Sequence, residues 1–217
     1  MGCQITKSLK SVLPSVKECR LNNDRECPLE KEKQILKKAR AYFIKEGVHR
    51  RGYRFTGSRG TKCVIKLPAK EFTIGANITE IESWKKFPEK ARKHFVEVSD
   101  FAKNGEWLTQ PEIITLRQLG ISSGDSIISN FQNEIGDDGI HCSDIHAHNV
   151  GVYDKNKRKK INTSMIKILD YGFGVCYLGK KVSSKDTIDT KRNDRKRRKS
   201  SSSSERTISP ELFNILK

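Results

Sequence analysis

Two short stretches carry most of the chemistry in this chain. The first runs Ser143-Asp144-Ile145-His146-Ala147-His148-Asn149-Val150-Gly151-Val152, and the second Lys167-Ile168-Leu169-Asp170-Tyr171-Gly172-Phe173-Gly174. An Asp and an Asn stand five residues apart on a loop, and a second Asp closes an apolar run just before a glycine turn. One carboxylate can accept a proton from a hydroxyl, while an amide and another carboxylate can hold metal ions. Phosphoryl transfer needs that set of groups. Strand-like segments at 150–153 and 165–169 join the stretches, with a polar turn over 154–160 between them, as a hairpin flanking a metal site requires.

The first stretch resembles the catalytic loop of the protein-kinase-like superfamily, and the second resembles its Asp-Phe-Gly metal motif, with Tyr171 in place of Phe. Asp144 then matches the catalytic Asp, Asn149 the metal-binding Asn, and Asp170 the metal-binding Asp. The form Asp-Ile-His-x-x-Asn is closer to the aminoglycoside-phosphotransferase and phage-kinase versions of the loop than to the His-Arg-Asp-Leu-Lys version, and His146 takes the place of the His in that group. One departure stands out. The family's His two residues before the catalytic Asp is Cys142 here, with His141 one place further back. In the family that His packs the loop and does no chemistry.

These groups must be positioned by elements further upstream. Lys62-Cys63-Val64-Ile65-Lys66-Leu67-Pro68 is similar to the Val-Ala-Ile-Lys strand, which implies that Lys66 reaches nucleotide phosphates. Asn77-Ile78-Thr79-Glu80 opens a helical pattern through Ile81, Trp84, Lys85 and Phe87, with Asn77 as N-cap and Glu80 as its capping-box partner. In kinases a helical Glu pairs with the strand Lys. Glu80 is the first choice for that role and Glu82 the reserve, while Glu80 acting only as a cap is the plainer alternative. Residues 104–112 read as the last strand of a small lobe running into a hinge. Residues 47–55 read as strand-turn-strand, with Gly52 near the phosphates but without the Gly-x-Gly-x-x-Gly spacing. Gly57-Ser58-Arg59-Gly60 reads as the turn into the Lys66 strand. Where backbone amides are poorly placed, His49, Arg50 and Arg51 offer positive charge instead.

The order Lys, helical Glu, hinge, Asp-x4-Asn, Asp-x-Gly is the one a two-lobed kinase requires. The expected fold is therefore α+β and two-lobed, protein-kinase-like, with a shortened C-terminal lobe. Between the hinge and Asp144 the clearest helix is 121–131, and after Gly174 nothing resembles the Ala-Pro-Glu motif. That implies a minimal kinase, as some viral and phage examples are, or a remnant. Residues 1–30 form an N-terminal extension without clear periodicity, and 31–179 the kinase-like domain, its small lobe reaching to about residue 112. Within it, 31–46 reads as a helix with Ile35, Leu36, Ala39, Tyr42 and Phe43 on one side. Residues 180–217 are a basic, Ser-rich tail too poor in apolar surface to offset its ordering entropy, closed by an amphipathic segment at 210–216.

The formal net charge of the chain is +17, which favours acidic partners. Arg195-Lys196-Arg197-Arg198-Lys199 reads as a nuclear-import signal, a nucleic-acid attractor or a solvated tail, and phosphorylation of the following serines would cancel its charge. The six cysteines show no Cys-x-x-Cys pair and no zinc spacing. Cys63 and Cys176 lie in apolar runs and read as small buried side chains, which fits a reduced cytosolic setting. His141, His146 and His148 lack the carboxylate or Cys spacing of a metal site, so the catalytic-loop reading is preferred. There is no secretory signal and no run long enough to span a membrane. Met1-Gly2-Cys3-Gln4-Ile5-Thr6 fits the myristoylation pattern, with Cys3 available for palmitoylation.

The resemblance implies an ATP- and Mg2+-dependent transfer. In it Lys66 holds phosphates, Glu80 braces Lys66, Asp144 accepts the hydroxyl proton, Asn149 and Asp170 ligate metal, and Gly52 lies beside the phosphates. A protein Ser/Thr is the favoured acceptor and a small-molecule hydroxyl the second. From another class comes a catalytically silent module that binds nucleic acid or a protein partner through its basic tail. The expected location is the cytoplasm, or the host cytoplasm or nucleus for a viral protein, with a membrane involved only if Gly2 is lipidated.

Overall fold

The computed structural model describes residues 2–153, 160–171 and 176–179. The strand β3 (Lys62–Pro68) organises the first half. Side chains alternate along a strand, so Cys63, Ile65 and Leu67 enter one core while Val64 and Lys66 line a cleft on the other face. β3 lies inside a five-stranded antiparallel sheet of order β1-β2-β3-β5-β4. Its companions are β1 (Tyr42–Glu46), β2 (Arg50–Thr56), β4 (Asp100–Phe101) and β5 (Leu108–Pro111). Gly52 of β2 and Leu108 of β5 stand on either side of Lys66 in the register. The turn at 57–60 that feeds β3 ends on Gly60 at φ +75, a left-handed conformation that favours glycine.

Two helices cover the outer face. α1 (Lys7–Leu21) begins where the Thr6 hydroxyl accepts the Leu9 N–H at 3.1 Å. α2 (Leu29–Lys37) follows it. Leu9, Val16 and Leu36 pack with Tyr53, Phe55, Ile65 and Leu67 in one buried cluster. The stretch read as aperiodic is thus a helix, its Leu9-Leu13-Val16 stripe diluted by lysines and by Pro14 inside it. The helix expected over 31–46 stops at Lys37. Arg40 adopts a left-handed φ of 56° that breaks the helix, and Tyr42 and Phe43 become strand residues.

α3 (Ile74–Lys86) covers the inner face. It starts before Asn77, so Asn77 is not a cap. Its fully buried amide donates to the Lys66 carbonyl at 3.2 Å and to the Gly105 carbonyl at 2.9 Å, tying the helix to β3 and to the β4–β5 turn. Gly105 sits at φ +75, where a Cβ would lie 2.6 Å from Ile78 Cγ1.

The second half is smaller. After α4 (Glu89–Arg92), β6 (Ile113–Thr115), β8 (Val150–Tyr153) and β9 (Lys167–Ile168) form an antiparallel sheet of order β6-β8-β9. α5 (Ser126–Asp137) is capped by Asp125, whose carboxylate accepts the Ile127 N–H at 3.0 Å. That cap sets a later start than the 121–131 span expected. β7 (Ile140–Cys142) pairs with β10 (Cys176–Leu178). Ile128, Phe131 and Ile135 of α5 share a core with Leu116, Ile145, Ala147, Val150, Val152, Ile168 and Tyr171. The fold is α+β: an antiparallel small lobe with one inner helix, then a short second lobe.

The cysteines depart from expectation. All six pair, as Cys3–Cys63, Cys19–Cys27 and Cys142–Cys176. The separations of 60, 8 and 34 residues give no local signal of this. Cys63 and Cys176 are buried, but as bonded sulfurs. Cys3 is likewise bonded and buried, not open to acylation. Among the described residues no helix is long and apolar enough to cross a membrane. The basic tail, its serine run, the segment 210–216, the turn 154–159 and the glycines after Tyr171 lie outside the described residues.

Candidate functional site

Lys66 is held where the sequence places it, on the cleft face of β3. Its ammonium donates to Glu80 Oε1 at 2.7 Å and to the Leu169 carbonyl at 2.8 Å. Glu80 lies one α3 turn beyond Asn77 and is fully buried. Gln110 Nε2 of β5 donates to the same Oε1 at 2.6 Å, and Arg50 Nη1 of β2 donates to Oε2 at 2.5 Å. Glu82, the reserve, instead faces Lys86 at 3.6 Å on the exposed side of α3. A second Arg50 nitrogen, Nη2, donates to Asp170.

Burial pushes the Lys66 ammonium below the usual lysine range, and Arg50 adds to that, against the pull of Glu80. For Arg50 burial works downward too, but Glu80 and Asp170 outweigh it and hold the guanidinium above its ordinary value. Asp170 is packed round by protein, which raises its carboxyl. The charges of Lys66 and Arg50 prevail, leaving it below the usual carboxylate range. Its side chain is still 45% exposed, on the side that opens into the cleft.

Asp170 owes its position to Tyr171. That ring is fully buried against Phe95 at 4.9 Å and Phe87 at 6.0 Å, and its hydroxyl donates to the Val96 carbonyl at 2.8 Å. The hydroxyl thus has a partner, as a buried phenol requires. The loop before it is anchored by alternation. Ile145 and Ala147 point into the core, while Asp144, His146 and His148 stay toward solvent or the cleft. The Ala147 N–H donates to Ser123 Oγ at 3.1 Å, and its carbonyl accepts the Arg117 N–H at 2.9 Å.

Asp144 is engaged on both oxygens. Asn149 Nδ2 donates to Oδ2 at 2.7 Å, and His146 Nε2 lies 3.1 Å from Oδ1. The Asn149 carbonyl accepts the Leu169 N–H at 2.8 Å. A hydrogen-bonded path therefore runs from the catalytic-type loop through Leu169 and Lys66 to Glu80. His141 lies elsewhere, stacked on Tyr177 at 5.4 Å.

Lys66, Arg50, Gly52, Asp144, Asn149 and Asp170 all line one cleft of ≈ 760 Å³ between the two lobes. Arg54 closes one edge by a two-nitrogen grip on Glu112 at the hinge, with Nε 2.7 and 2.8 Å from the two carboxylate oxygens. Gly52 lies in β2 and not in a turn. A Cβ there would meet Val64 at no closer than 3.7 Å, so its backbone does not demand glycine; the missing side chain leaves the cleft floor open. Sequence reasoning missed Gln110 altogether. It offered Arg50 only as one of three basic residues, because the choice among them depends on strand alternation.

The donor chemistry fits a magnesium–nucleotide. Magnesium takes oxygen ligands, with one or two from protein carboxylates and the rest from phosphates and water. Asp170 supplies a carboxylate. The Asn149 amide turns its nitrogen to Asp144, which leaves its oxygen for a cation. Among the described residues no group of three or more His, Cys, Asp or Glu side chains could hold a metal ion, so a metal here would depend on the nucleotide's own oxygens.

No protein-family model and no curated protein matches the sequence. Among solved structures, the chain is similar to the BubR1 kinase domain, with TM-score 0.40 and 15% identity over 62% of this chain and 45% of that one. It is also similar to the Rio2 kinase of Chaetomium thermophilum in its ADP/Mg2+-phosphoaspartate complex, with TM-score 0.38 and 14% identity over 95% of this chain and 84% of that one. A second structure of that Rio2 kinase gives TM-score 0.39 and 12% identity over 88% and 78%. The chain spans less than half the length of the BubR1 kinase-domain chain.

Proposed function

We propose that the chain is an ATP- and Mg2+-dependent phosphotransferase that moves the γ-phosphoryl group to a hydroxyl, with a protein Ser or Thr as the favoured acceptor. The observation that carries this reading is the convergence of Lys66, Asp144, Asn149 and Asp170 on one cleft, with Glu80 buried behind Lys66 and the Asn149–Leu169–Lys66 hydrogen bonds joining them. Lys66 would hold phosphate oxygens in a site where water is scarce and a fixed charge acts strongly. Glu80 fixes the direction in which Lys66 points. Asp144 accepts the acceptor's proton, its orientation set by Asn149 and His146. Asp170 and the Asn149 oxygen would hold magnesium, which supplies charge neutralisation at the phosphates when bound.

The His146–Asp144 contact supports a second reading, a small-molecule hydroxyl as acceptor, since that pair belongs to the aminoglycoside-phosphotransferase form of the loop. One experiment tests both. Labelled γ-phosphate transfer from ATP and magnesium is followed to the protein itself, to protein acceptors and to an aminoglycoside, beside Asp144→Asn and Asp170→Ala. Label on protein that both variants lose supports the first reading, and label only on the aminoglycoside the second. No transfer to any acceptor, with no ATP binding, refutes the phosphotransferase reading.

A further inference from the structure

β2 leaves the turn at 47–49 with two consecutive arginines, and alternation sends them to opposite faces. Arg51 turns outward, where Nε donates to Glu46 at 2.7 Å, Nη2 to Glu26 at 2.9 Å and Nη1 to the Cys27 carbonyl at 2.7 Å. Arg50 turns into the cleft, on the same face as Gly52, and its side chain is 9% exposed. Gly52 stands opposite Lys66 in the register. No side chain at 52 therefore screens the cleft floor that Arg50 and Lys66 approach from neighbouring strands.

Glu80 carries one negative charge against two cations. Its Oε1 accepts from Lys66 and Gln110 and its Oε2 from Arg50 at 2.5 Å, so one carboxylate faces two cations and leaves one net positive charge. The guanidinium reaches past it to Asp170, at the point where the cleft opens. A guanidinium carries five N–H donors, and its planar fork matches phosphate oxygens two at a time. The hairpin turn, meanwhile, contributes Gly47 but no glycine run to bring successive backbone amides onto a phosphate. We propose that Arg50 is a second nucleotide-phosphate ligand. With Lys66, it supplies positive charge from side chains at the floor of the cleft. This rests on the phosphotransferase reading above. Glu80 then aims two cations instead of one, and Lys66 shares its task.

The test is equilibrium binding of ATP, ADP and adenosine to the full chain, each with magnesium and with chelator, for wild type, Arg50→Met and Arg50→Lys. Circular dichroism and melting confirm that each variant is folded. Losing one charged hydrogen-bonding partner should weaken ATP and ADP about ten- to a hundredfold in Arg50→Met. Adenosine, which has no phosphate, should bind as to wild type, and the loss for ATP should persist in chelator. Arg50→Lys keeps a cation without the fork and should fall between; it also carries the test if Arg50→Met does not fold. Equal loss of adenosine and ATP would make Arg50 a structural brace and overturn the proposal, as would unchanged ATP affinity. Wild type that binds none of the three would instead refute the phosphotransferase reading itself.

Discussion

Replacing Glu80 with Gln tests the electrostatic centre of the site. The two side chains have the same shape, so packing is preserved, while the negative charge is lost and one oxygen that accepts from these donors becomes a donating NH2. What remains is a pair of cations, Lys66 and Arg50, each with a side chain 9% exposed. Lys66 would keep the Leu169 carbonyl, and Arg50 would keep Asp170. Removing one member of a buried ion pair costs ~3–5 kcal/mol. Burial already favours release of the Lys66 proton, which relieves part of the charge and places the cost near the lower end, about 3 kcal/mol. For a chain of this size each kcal/mol moves Tm by ~2–4 °C, so the melting point should fall by roughly 6–12 °C. Circular dichroism melts at neutral pH measure it. Glu82→Gln is the control: its ion pair with Lys86 is exposed on both sides, and its loss should move Tm by no more than ~2 °C. A Glu80→Gln melt that matches wild type, or a larger effect at Glu82, refutes the assignment of Glu80 as the holder of both cations.

Asp144→Asn keeps the loop's shape but removes the proton acceptor, so turnover should drop ~10²–10⁴-fold while ATP affinity holds; an unchanged rate would remove Asp144 from the chemistry. Tyr171→Phe keeps the buried ring yet leaves the buried Val96 carbonyl without its donor. It should cost ~0.5–1.5 kcal/mol, read as a Tm lower by a few degrees, and a variant as stable as wild type would show the hydroxyl to be idle. Hydrogen bonds from His94 at 2.7 Å and Lys93 at 3.0 Å hold the Asp138 carboxyl down at about 2. The folded state thus binds fewer protons there than the unfolded state, so this contribution is full above the ordinary carboxylate pKa and is lost as pH falls through about 2. Urea melts of wild type and Asp138→Asn should converge across that acid window, and a gap that stays constant with pH would exclude the linkage.

Much of the site was legible because its groups lie within short local motifs. Asp144 and Asn149 share one loop, β8 and β9 lie between that loop and Asp170, and the alternation of Ile145 and Ala147 with polar neighbours marks how the loop is anchored. Glu80 meets Lys66, but not through a local cap, since Asn77 caps nothing and is a buried crosslink between α3, β3 and Gly105. Gln110 and the choice of Arg50 over Arg51 depend on strand register, which no local pattern encodes. α1 was hidden because lysines and Pro14 interrupt its apolar stripe. The 31–46 pattern was extended too far because Tyr42 and Phe43 satisfy a helical period while belonging to a strand. The disulfides join residues up to 60 apart in sequence, a pairing that only the folded chain brings together.

The Cys3–Cys63 bond also determines how the molecule would bear a mechanical load. A pull applied at the N-terminus crosses the sulfur bridge directly into β3, three residues from Lys66. The intervening loop, with α1, α2, β1 and β2, lies outside the line of force and cannot be peeled away first. Tension is delivered instead to the central strand, where its neighbours resist in shear. Reduction returns those residues to the load path and frees about 200 Å of extra contour, at ~3.3–3.6 Å per residue for the 60 residues spanned. Full reduction also opens the 34-residue span closed by Cys142–Cys176, so oxidised and fully reduced molecules stretched end to end should differ by about 310–340 Å.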